Sequence, residues 1–262
     1  MSTPSSNAHP LRAKLASGQP IAGVWSVLPT AQAVGVMAAA GFDFAILDCE
    51  HGGFDFTTLE SAITACELHG ASPLVRAPGP DAFFIQRALD LGADGIVVPQ
   101  IPDAVAARRA AQMAHFAPLG TRGFNPYTRA GNFGIQPQPK LTSGFPFTGV
   151  LVESPAADAE LERIVEIAEL DLVYLGVFDY SVALGIPGQV DDRQVQAFVE
   201  RAAKIVRDAG KAVGTTAMSE AQTHRLTSLG VNVLVYGVDT WLLAQAARAG
   251  LDLYKKFGWQ SR

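Results

Sequence analysis

The feature that most constrains the fold is a repeated alternation between short apolar runs and longer alanine-rich segments. The short runs are apolar throughout, which is typical of parallel strands that are covered on both faces. Strands are predicted at residues 21–25, 44–48, 73–77, 95–99, 149–153, 172–176, 212–216 and 231–236. The segments between them have helical length and composition, and helices are predicted at residues 30–40, 57–69, 81–92, 102–115, 157–168, 192–209, 219–229 and 239–256.

Eight strand–helix units in 262 residues favour an α/β fold, a single-domain (β/α)8 barrel of the TIM type. A doubly wound open sheet is the alternative, but the first strand is followed by VWSVLPT and not by a glycine-rich fingerprint. We assign residues 19–262 to the barrel and expect residues 1–18 to be a flexible tail. Five glycines follow predicted helices and suit helix C-caps: Gly41, Gly70, Gly92, Gly210 and Gly230.

One long insertion, residues 117–148, interrupts the alternation between the fourth and fifth predicted strands. It is rich in glycine and proline and carries Arg122 and Arg129. Loops of this length in compact domains are usually functional or disordered. We expect a lid or a subunit-contact segment, and it lies on the catalytic side only if the preceding helix ends before it.

Charge and composition exclude several classes of partner. The net charge is −5 and no basic tract is present, which argues against nucleic acid and anionic membranes as partners. No apolar run approaches the ~18 residues of a membrane span, and the segment MSTPSSNAHP is no signal peptide. Two cysteines, Cys49 and Cys66, are too few for a disulfide framework. These features predict a soluble, cytoplasmic protein with reduced thiols.

Polar side chains collect where the predicted strands end, and this is the edge at which (β/α)8 barrels place their active sites. The residues concerned are Ser26, Asp48, Glu50, His51, Arg76, Gln100, Glu153, Asp179, Thr215 and Thr216. The amino ends of the strands carry only ordinary surface charges such as Asp171 and Lys211. The distribution indicates one functional rim.

Glu153 and Asp179 end neighbouring strands of the predicted barrel. Two carboxylates that meet without a cation repel each other, and a hard divalent ion would resolve the repulsion. The alternative is that each carboxylate caps the helix that follows it. Spacing alone leaves both interpretations open.

Arg76 ends a buried run and needs an anion, either Asp48 or Glu50 as a structural partner or an oxyanion that develops in a reaction. His51, the only histidine at a strand end, is a candidate general base. Asp90 lies on a predicted helix, and its spacing favours a solvated charge over a carboxylate that orients an imidazole. None of the lysines ends a strand, which argues against Schiff-base chemistry and leaves a metal as the electron sink.

Six segments together resemble the HpcH/HpaI family of metal-dependent pyruvate aldolases, over nearly the whole barrel: GFDFAILDCEHGGFD, LVRAP, RALDLGADGIVVPQI, PLGTRGF, VES and YLGVFDYSVALGIPG. The resemblance implies a (β/α)8 barrel and a divalent metal ion (magnesium, manganese or cobalt). It implies an aldehyde-lyase that joins pyruvate or hydroxypyruvate to an aldehyde, or cleaves a 4-hydroxy-2-oxoacid, through a metal-stabilised enolate. It also implies a homotrimer or homohexamer with exchanged C-terminal helices.

The resemblance also assigns roles to the matching positions. His51 is implied as the general base, Arg76 as the group that holds the pyruvyl oxygen, and Asp90 as the carboxylate that raises the basicity of the histidine. Glu153 and Asp179 are implied as the metal ligands.

The pocket assignments follow in the same way. Trp25 matches an aromatic lining position, and the backbone from Gly176 to Asp179 is implied to receive the substrate carboxylate. Asp48 and Glu50 are expected to orient metal-bound water or Arg76.

Two substrate-pocket positions depart from the pattern of the family. Leu151 stands where better-known members carry a glutamine, and Gly176-Val177-Phe178 stands where they read Gly-Pro-Ala. Both changes make the pocket less polar or bulkier, and they leave the donor and acceptor specificity open.

Two other functions are considered. A lyase of the same barrel type could act on an acyl-CoA or another 2-oxoacid derivative, with Arg122 and Arg129 forming a basic groove for the nucleotide. A metabolite-binding barrel without turnover would bind pyruvate but would not exchange its methyl protons.

Overall fold

The computed structural model describes residues 9–135 and 145–258. Its strands are β1 Ile21–Ser26, β2 Phe44–Asp48, β3 Ser72–Arg76, β4 Gly95–Val98, β5 Phe147–Val152, β6 Leu172–Leu175, β7 Ala212–Ala217 and β8 Val233–Val238. Its α-helices are α1 Pro10–Ala16, α2 Ala31–Ala39, α3 Phe56–Leu68, α4 Ala82–Asp90, α5 Ala104–Ala114, α6 Pro155–Ala159, α7 Leu161–Val165, α8 Val177–Ala183, α9 Arg193–Asp208, α10 Glu220–Ser228 and α11 Asp239–Lys255. None of these helices is long and apolar enough to cross a membrane.

The eight strands form one closed parallel barrel in chain order, and β8 returns to pair with β1. Closure pairs Ile21 with Val233, so the sheet has no open edge. The predicted single-domain (β/α)8 barrel is therefore confirmed, and the doubly wound alternative is excluded. Each predicted strand corresponds to an observed one.

The strands are apolar throughout because both of their faces are buried. In β2, Phe44 and Ile46 belong to the cluster of side chains inside the barrel. Ala45 and Leu47, which alternate with them, belong to the larger cluster between the barrel and its helices. The barrel interior is thus a packed core below the rim, and polar groups gather only where the strands end.

Local sequence signals set the ends of the helices. Asp55 and Thr58 form a capping box at the start of α3, and the Asp81 side chain caps α4 by accepting from the Phe84 N–H. All five glycines predicted as C-caps have positive φ, a conformation that costs other residues more: Gly41, Gly70, Gly92, Gly210 and Gly230.

The N-terminal region differs from the predicted flexible tail. Residues 10–16 form α1, whose Leu11 is buried with the interior cluster of the barrel. The Arg12 guanidinium makes a bidentate ion pair with Asp171, with nitrogen–oxygen distances of 2.6 and 2.7 Å. The sequence does not reveal this helix, because Asp171, the ion-pair partner of Arg12, lies far along the chain. Residues 1–8 lie outside the described residues.

Two further helical segments differ from the prediction. The helix expected at residues 157–168 is divided into α6 and α7, since the backbone departs from helical geometry at Glu160. A short extra helix, α8, begins directly after β6 and carries Asp179 in its first turn.

The insertion predicted as a lid or a subunit-contact segment packs away from the rim. Arg122 pairs with Asp90 at the end of α4, and Arg129 pairs with Glu67 on α3. The backbone N–H of Gly123 also donates to Gln86 Oε1 at 3.0 Å. The described residues, 117–135, therefore lie towards the amino ends of the strands and do not cover the rim. Residues 136–144 lie outside the described residues.

Candidate active site

A cavity of about 320 Å³ opens at the carboxyl ends of the strands. It is lined by residues at or just after the ends of β1, β2, β3, β5, β6, β7 and β8. Nine of the residues predicted for the site line this cavity: Trp25, Asp48, His51, Arg76, Leu151, Glu153, Gly176, Phe178 and Asp179.

Arg76 is held rigidly at the floor of the cavity by its neighbours. Its Nε donates to Asp48 Oδ1 at 2.8 Å, and its Nη2 donates to Asp48 Oδ2. Its guanidinium carbon lies 4.5 Å from the centroid of the Trp25 ring. Burial opposes the charged form, but the hydrogen bonds and charge of Asp48, helped by Glu50, hold the pKa of Arg76 above its ordinary value. The site therefore contains a permanent cation.

The segment after β2 wraps around the Asp48 carboxylate. Asp48 Oδ1 also accepts from the backbone N–H groups of Glu50 and His51, at 3.0 and 3.2 Å. Glu50 Oε2 lies 3.2 Å from Arg76 Nη1 and 3.9 Å from His51 Nε2. The His51 side chain is 64% exposed at the mouth of the cavity. Glu50 is thus the carboxylate that lies beside the histidine in this chain.

Glu153 ends β5, Asp179 follows β6, and both line the cavity. Burial raises the pKa of Glu153, a hydrogen bond from the Gln100 N–H opposes this effect, and the charges of Asp179 and Glu50 raise it further. That N–H donates to Glu153 Oε1 at 2.6 Å. Among the described residues, neither Glu153 Oε2 nor the Asp179 carboxylate has a hydrogen-bond or ion-pair partner.

This pair fits a divalent metal ion by the chemistry of its donors. Mutually repelling carboxylates with unpartnered oxygens are the ligands that hard cations take. A Cβ at Gly176 would lie 2.6 Å from Glu153 Cβ and 3.1 Å from Glu153 Oε2. Only glycine leaves room for this approach of Glu153, which keeps its carboxylate at the cavity.

Three side chains from different strands form a hydrogen-bonded group at the cavity wall. Trp25 Nε1 donates to the Tyr174 hydroxyl at 2.9 Å and to Thr216 Oγ1 at 3.2 Å. The hydroxyl oxygens of Tyr174 and Thr216 lie 2.6 Å apart. The sequence placed Trp25 in the pocket and Thr216 at a strand end, but it gave no sign that the two residues meet.

Asp90, implied by the resemblance as the carboxylate that raises the basicity of His51, does not lie at this cavity of the single chain. It is the last residue of α4 and therefore lies towards the amino ends of the strands. Its Oδ1 accepts from Arg122 Nη2 at 2.7 Å, beside a separate cavity of about 270 Å³. A (β/α)8 helix runs back from the rim, so a residue at its end is carried away from the rim.

Two residues have a structural part in the site that the sequence did not assign: Gln100, placed at the rim without a role, and Asp239, not considered. Gln100, at positive φ after β4, donates its side-chain N–H to Glu50 Oε1 at 2.9 Å while its backbone binds Glu153. The buried Asp239 carboxylate accepts from the Ser26 hydroxyl and the Val27 N–H, at 2.7 and 3.1 Å, and so anchors the loop after β1. Their positions at strand ends were the available signal.

Comparison with known proteins decides the family. The model of the HpcH/HpaI aldolase/citrate lyase family matches residues 22–246. The chain belongs to the HpcH/HpaI aldolase/citrate lyase family. The predicted resemblance is thereby confirmed, and so is the prediction that the chain is an enzyme of the aldolase type, a lyase.

Similar members of the HpcH/HpaI family match this chain along almost its whole length. The hydroxypyruvate/pyruvate aldolase of Delftia acidovorans is 30% identical over 95% of this chain and 93% of its own. The 4-hydroxy-2-oxo-heptane-1,7-dioate aldolase of Shigella sonnei is 32% identical over 95% of each chain. The crystal structure of a family protein from Burkholderia cenocepacia has a TM-score of 0.90 at 27% identity, and the match covers 95% of this chain and 100% of that one.

Proposed function

We propose that this chain is a divalent-metal-dependent aldolase that joins pyruvate or hydroxypyruvate to an aldehyde and cleaves the corresponding 4-hydroxy-2-oxoacid. The observation that carries the proposal is a cavity where the Arg76 cation, the Glu153–Asp179 pair and His51 are combined. The names of the similar aldolases support the substrate class. No lysine lines the cavity among the described residues, in agreement with chemistry that uses no Schiff base.

Glu153 and Asp179 would hold the metal ion, for which magnesium, manganese and cobalt are the candidates. A bound divalent ion supplies a Lewis acid that polarises the carbonyl of the 2-oxoacid. The hydrogen bond from Gln100 to Glu153 Oε1 orients that carboxylate.

Arg76 stabilises negative charge on the oxygen of the 2-oxoacid as the reaction proceeds. Two of its nitrogens are engaged by Asp48, which fixes the plane of the guanidinium before substrate binds. A preorganised cation costs little reorganisation when charge develops beside it. The Trp25 ring under the guanidinium excludes water from that side.

His51 moves the proton between the donor carbon and solvent. Its exposed imidazole lies at the cavity mouth, where it can reach both the substrate and bulk water. The neighbouring Glu50 carboxylate lies 3.9 Å from its Nε2.

The test of the function is an assay of pyruvate and hydroxypyruvate against a panel of aldehydes. Chelator-treated enzyme is supplied with Mg²⁺, Mn²⁺ or Co²⁺, and product formation and exchange of the donor protons with deuterium are followed. We expect both activities to depend on added metal. Full activity of metal-free enzyme would remove the metal from the proposal, and binding without proton exchange would favour a non-catalytic barrel.

The alternative of an acyl-CoA lyase loses its expected nucleotide groove. Arg122 is buried and paired with Asp90, and Arg129 is paired with Glu67. Neither guanidinium is therefore a free cation for the phosphates of CoA. A thermal-shift comparison of CoA with pyruvate tests this alternative directly.

We propose that Asp90 acts on His51 of a neighbouring copy. The two residues lie at opposite ends of one barrel, so the role implied for Asp90 by the family cannot be met within a single chain. The exposed His51 is accessible to a second copy of the chain. Asp90 lines a separate cavity, where its Oδ2 has no hydrogen-bond partner among the described residues.

The proposed assembly is a homotrimer or homohexamer with exchanged C-terminal helices. In α11 only the first residue, Asp239, is buried in the single chain. Leu243, Leu251 and Leu253 are 61%, 46% and 58% exposed on this helix. Apolar side chains at such exposure are typical of a surface that another subunit covers. Light scattering of the purified protein measures the subunit number.

A further inference from the structure

The hydrogen bonds of Trp25, Tyr174 and Thr216 impose one direction on their protons. The Trp25 N–H can only donate, so it uses lone pairs on both hydroxyl oxygens. The remaining contact, 2.6 Å between Tyr174 and Thr216, has one donor and one acceptor. If Tyr174 donates, the hydroxyl hydrogen of Thr216 remains free to bond elsewhere. If Thr216 donates, the hydroxyl hydrogen of Tyr174 remains free.

Burial settles the choice. Tyr174 is 2% exposed, and within the described part of the chain its hydroxyl contacts only Trp25 and Thr216. A buried phenol hydrogen without an acceptor carries the full desolvation penalty of that group. Tyr174 therefore donates to Thr216. Thr216 is only half-buried and lines the cavity, so its own hydrogen is left to a partner in the cavity.

We propose that Thr216 determines substrate specificity by donating a hydrogen bond to a hydroxyl oxygen of the substrate. Because Trp25 and Tyr174 occupy its lone pairs, Thr216 acts only as a donor and selects an acceptor oxygen. The inference rests on the proposed aldolase function and adds the substrate class: the enzyme prefers a hydroxylated substrate to the alkyl compound of the same shape. The hydroxyl belongs either to the 2-oxoacid, as in hydroxypyruvate, or to the aldehyde, as in glycolaldehyde.

The surroundings of Thr216 make this hydrogen bond selective. The apolar side chains Leu151, Val177 and Phe178 line the cavity together with Thr216. In such a wall a single oriented donor has no competitor, and a substrate that lacks the oxygen leaves the donor without a partner. The polar end of the cavity, around Arg76 and Glu153, remains for the carboxylate and the carbonyl of the 2-oxoacid.

The experiment compares isosteric substrates that differ by one hydroxyl. Hydroxypyruvate is paired with 2-oxobutanoate, and glycolaldehyde is paired with propanal, which separates the two sources of the oxygen. In each arm the ratio of kcat/KM for the hydroxylated to the alkyl compound is measured. The enzymes are the metal-loaded wild type, Thr216→Val, which keeps the shape, and Thr216→Ser, which keeps the hydroxyl.

We expect Thr216→Val to lower the ratio roughly three- to tenfold in one arm, the loss of one hydrogen bond, and Thr216→Ser to restore it. Thr216→Val also leaves the Tyr174 hydroxyl without an acceptor. Thr216→Cys is the second variant, because its thiol sulfur can still accept from Tyr174 and Trp25 but is a much weaker donor than a hydroxyl. It preserves the test if Thr216→Val does not fold, and the ratio should fall in it as well.

Equal loss for the hydroxylated and alkyl compounds in both arms would overturn the proposal and leave Thr216 a structural residue. Calorimetric binding of hydroxypyruvate and 2-oxobutanoate is measured on the same proteins. If the wild type forms no aldol product, the proposed function fails. In that case the ratio of the binding affinities for hydroxypyruvate and 2-oxobutanoate decides. A lower ratio in Thr216→Val supports the specificity role of Thr216, and an unchanged ratio overturns it.

Discussion

The ionisable residues after β2 owe their roles to partners on other strands. Asp48 and Glu50 both bind Arg76, and His51 extends past them to the mouth of the cavity. Two carboxylates this close together would repel each other without that cation. The segment therefore separates two tasks, since its carboxylates hold Arg76 and its imidazole remains exposed for proton transfer.

Replacing His51 with alanine is expected to lower kcat by about 10²–10⁴-fold, because a general base is lost. Exchange of the donor protons with deuterium should fall in parallel. Replacing His224, an exposed histidine of α10, with alanine is the matched control and should leave both rates unchanged. Near-wild-type proton exchange in the His51 variant would assign the base elsewhere.

Replacing Asp48 with alanine is expected to lower the free energy of unfolding by about 3 kcal/mol, the lower end for a broken buried ion pair. The lower end applies because Glu50 still lies 3.2 Å from Arg76. Glu160→Ala breaks the exposed pair with Arg163 and should cost only about 0.2–1 kcal/mol. Denaturant titration of both variants measures the difference, and equal losses would refute the structural role of Asp48.

The helical segments at the amino ends of the strands cover that end of the barrel and do not line the active-site cavity. Helix α1 covers this end through Leu11 and through the ion pair of Arg12 with Asp171. The end of α5 packs against β5, where Thr148 Oγ1 lies 3.3 Å from His115 Nε2. These contacts join segments that are distant in sequence, so their effects should appear in stability and not in catalysis.

Replacing Arg12 with alanine is expected to lower the free energy of unfolding by about 1.5–3 kcal/mol, because hydrogen bonds to a charged carboxylate are lost. The values of kcat and KM should stay close to those of the wild type, since Arg12 lies at the far end of the barrel from the rim. Arg163→Ala, which removes an exposed arginine, is the control. A large fall in kcat for Arg12→Ala would contradict this separation.

Burial lowers the pKa of His115 below its ordinary value, so the folded chain binds a proton there less readily than the unfolded chain. Stability should therefore fall as the pH drops below about 6.5, by at most about 1.4 kcal/mol per pH unit for one proton. His115→Gln should weaken this dependence. His9, whose pKa burial also lowers, should leave a residual slope. Denaturation at several pH values measures the slope, and an unchanged slope in the variant would exclude His115.

At the scale of the whole molecule, barrel closure brings the rim residues together. Trp25, Tyr174 and Thr216 belong to β1, β6 and β7, and they meet because β8 pairs with β1. Asp90 lies at the opposite end of the chain's own barrel, because its helix runs back from the rim. The proposed action of Asp90 on His51 would therefore need a second copy of the chain.

Co-expressed His51→Ala and Asp90→Asn chains are expected to regain activity that neither variant has alone. With random assembly, about one site in four combines an intact His51 with an intact Asp90 from its neighbour. Mixed oligomers are purified with two affinity tags and assayed for aldol cleavage. Homo-oligomers of each variant, isolated identically, serve as controls, and mixed oligomers as inactive as these would exclude a role across the interface.

The order of the elements and the identity of the rim could be read from residue patterns, because both follow from local periodicity. Continuous apolar runs define parallel strands, and in a closed parallel barrel every strand end faces the same rim. The pattern of strand ends was therefore enough to place Arg76, Glu153, Asp179 and His51 at the rim without coordinates. The N-terminal helix was missed because the burial of Leu11 under the barrel and the ion pair of Arg12 with Asp171 form only in the folded chain.

The sequence could not show which ionisable side chains pair with each other. The pairing depends on the register and closure of the barrel, and no local sequence pattern determines these. Asp48 and Glu50 could equally have served metal-bound water or Arg76, and folding placed both on Arg76. The resemblance connects Asp90 with His51, but within this chain Asp90 binds Arg122, since its helix runs away from the rim. The proton left on Thr216 also arises only in three dimensions, because three strands must meet before their hydroxyl groups can compete for acceptors.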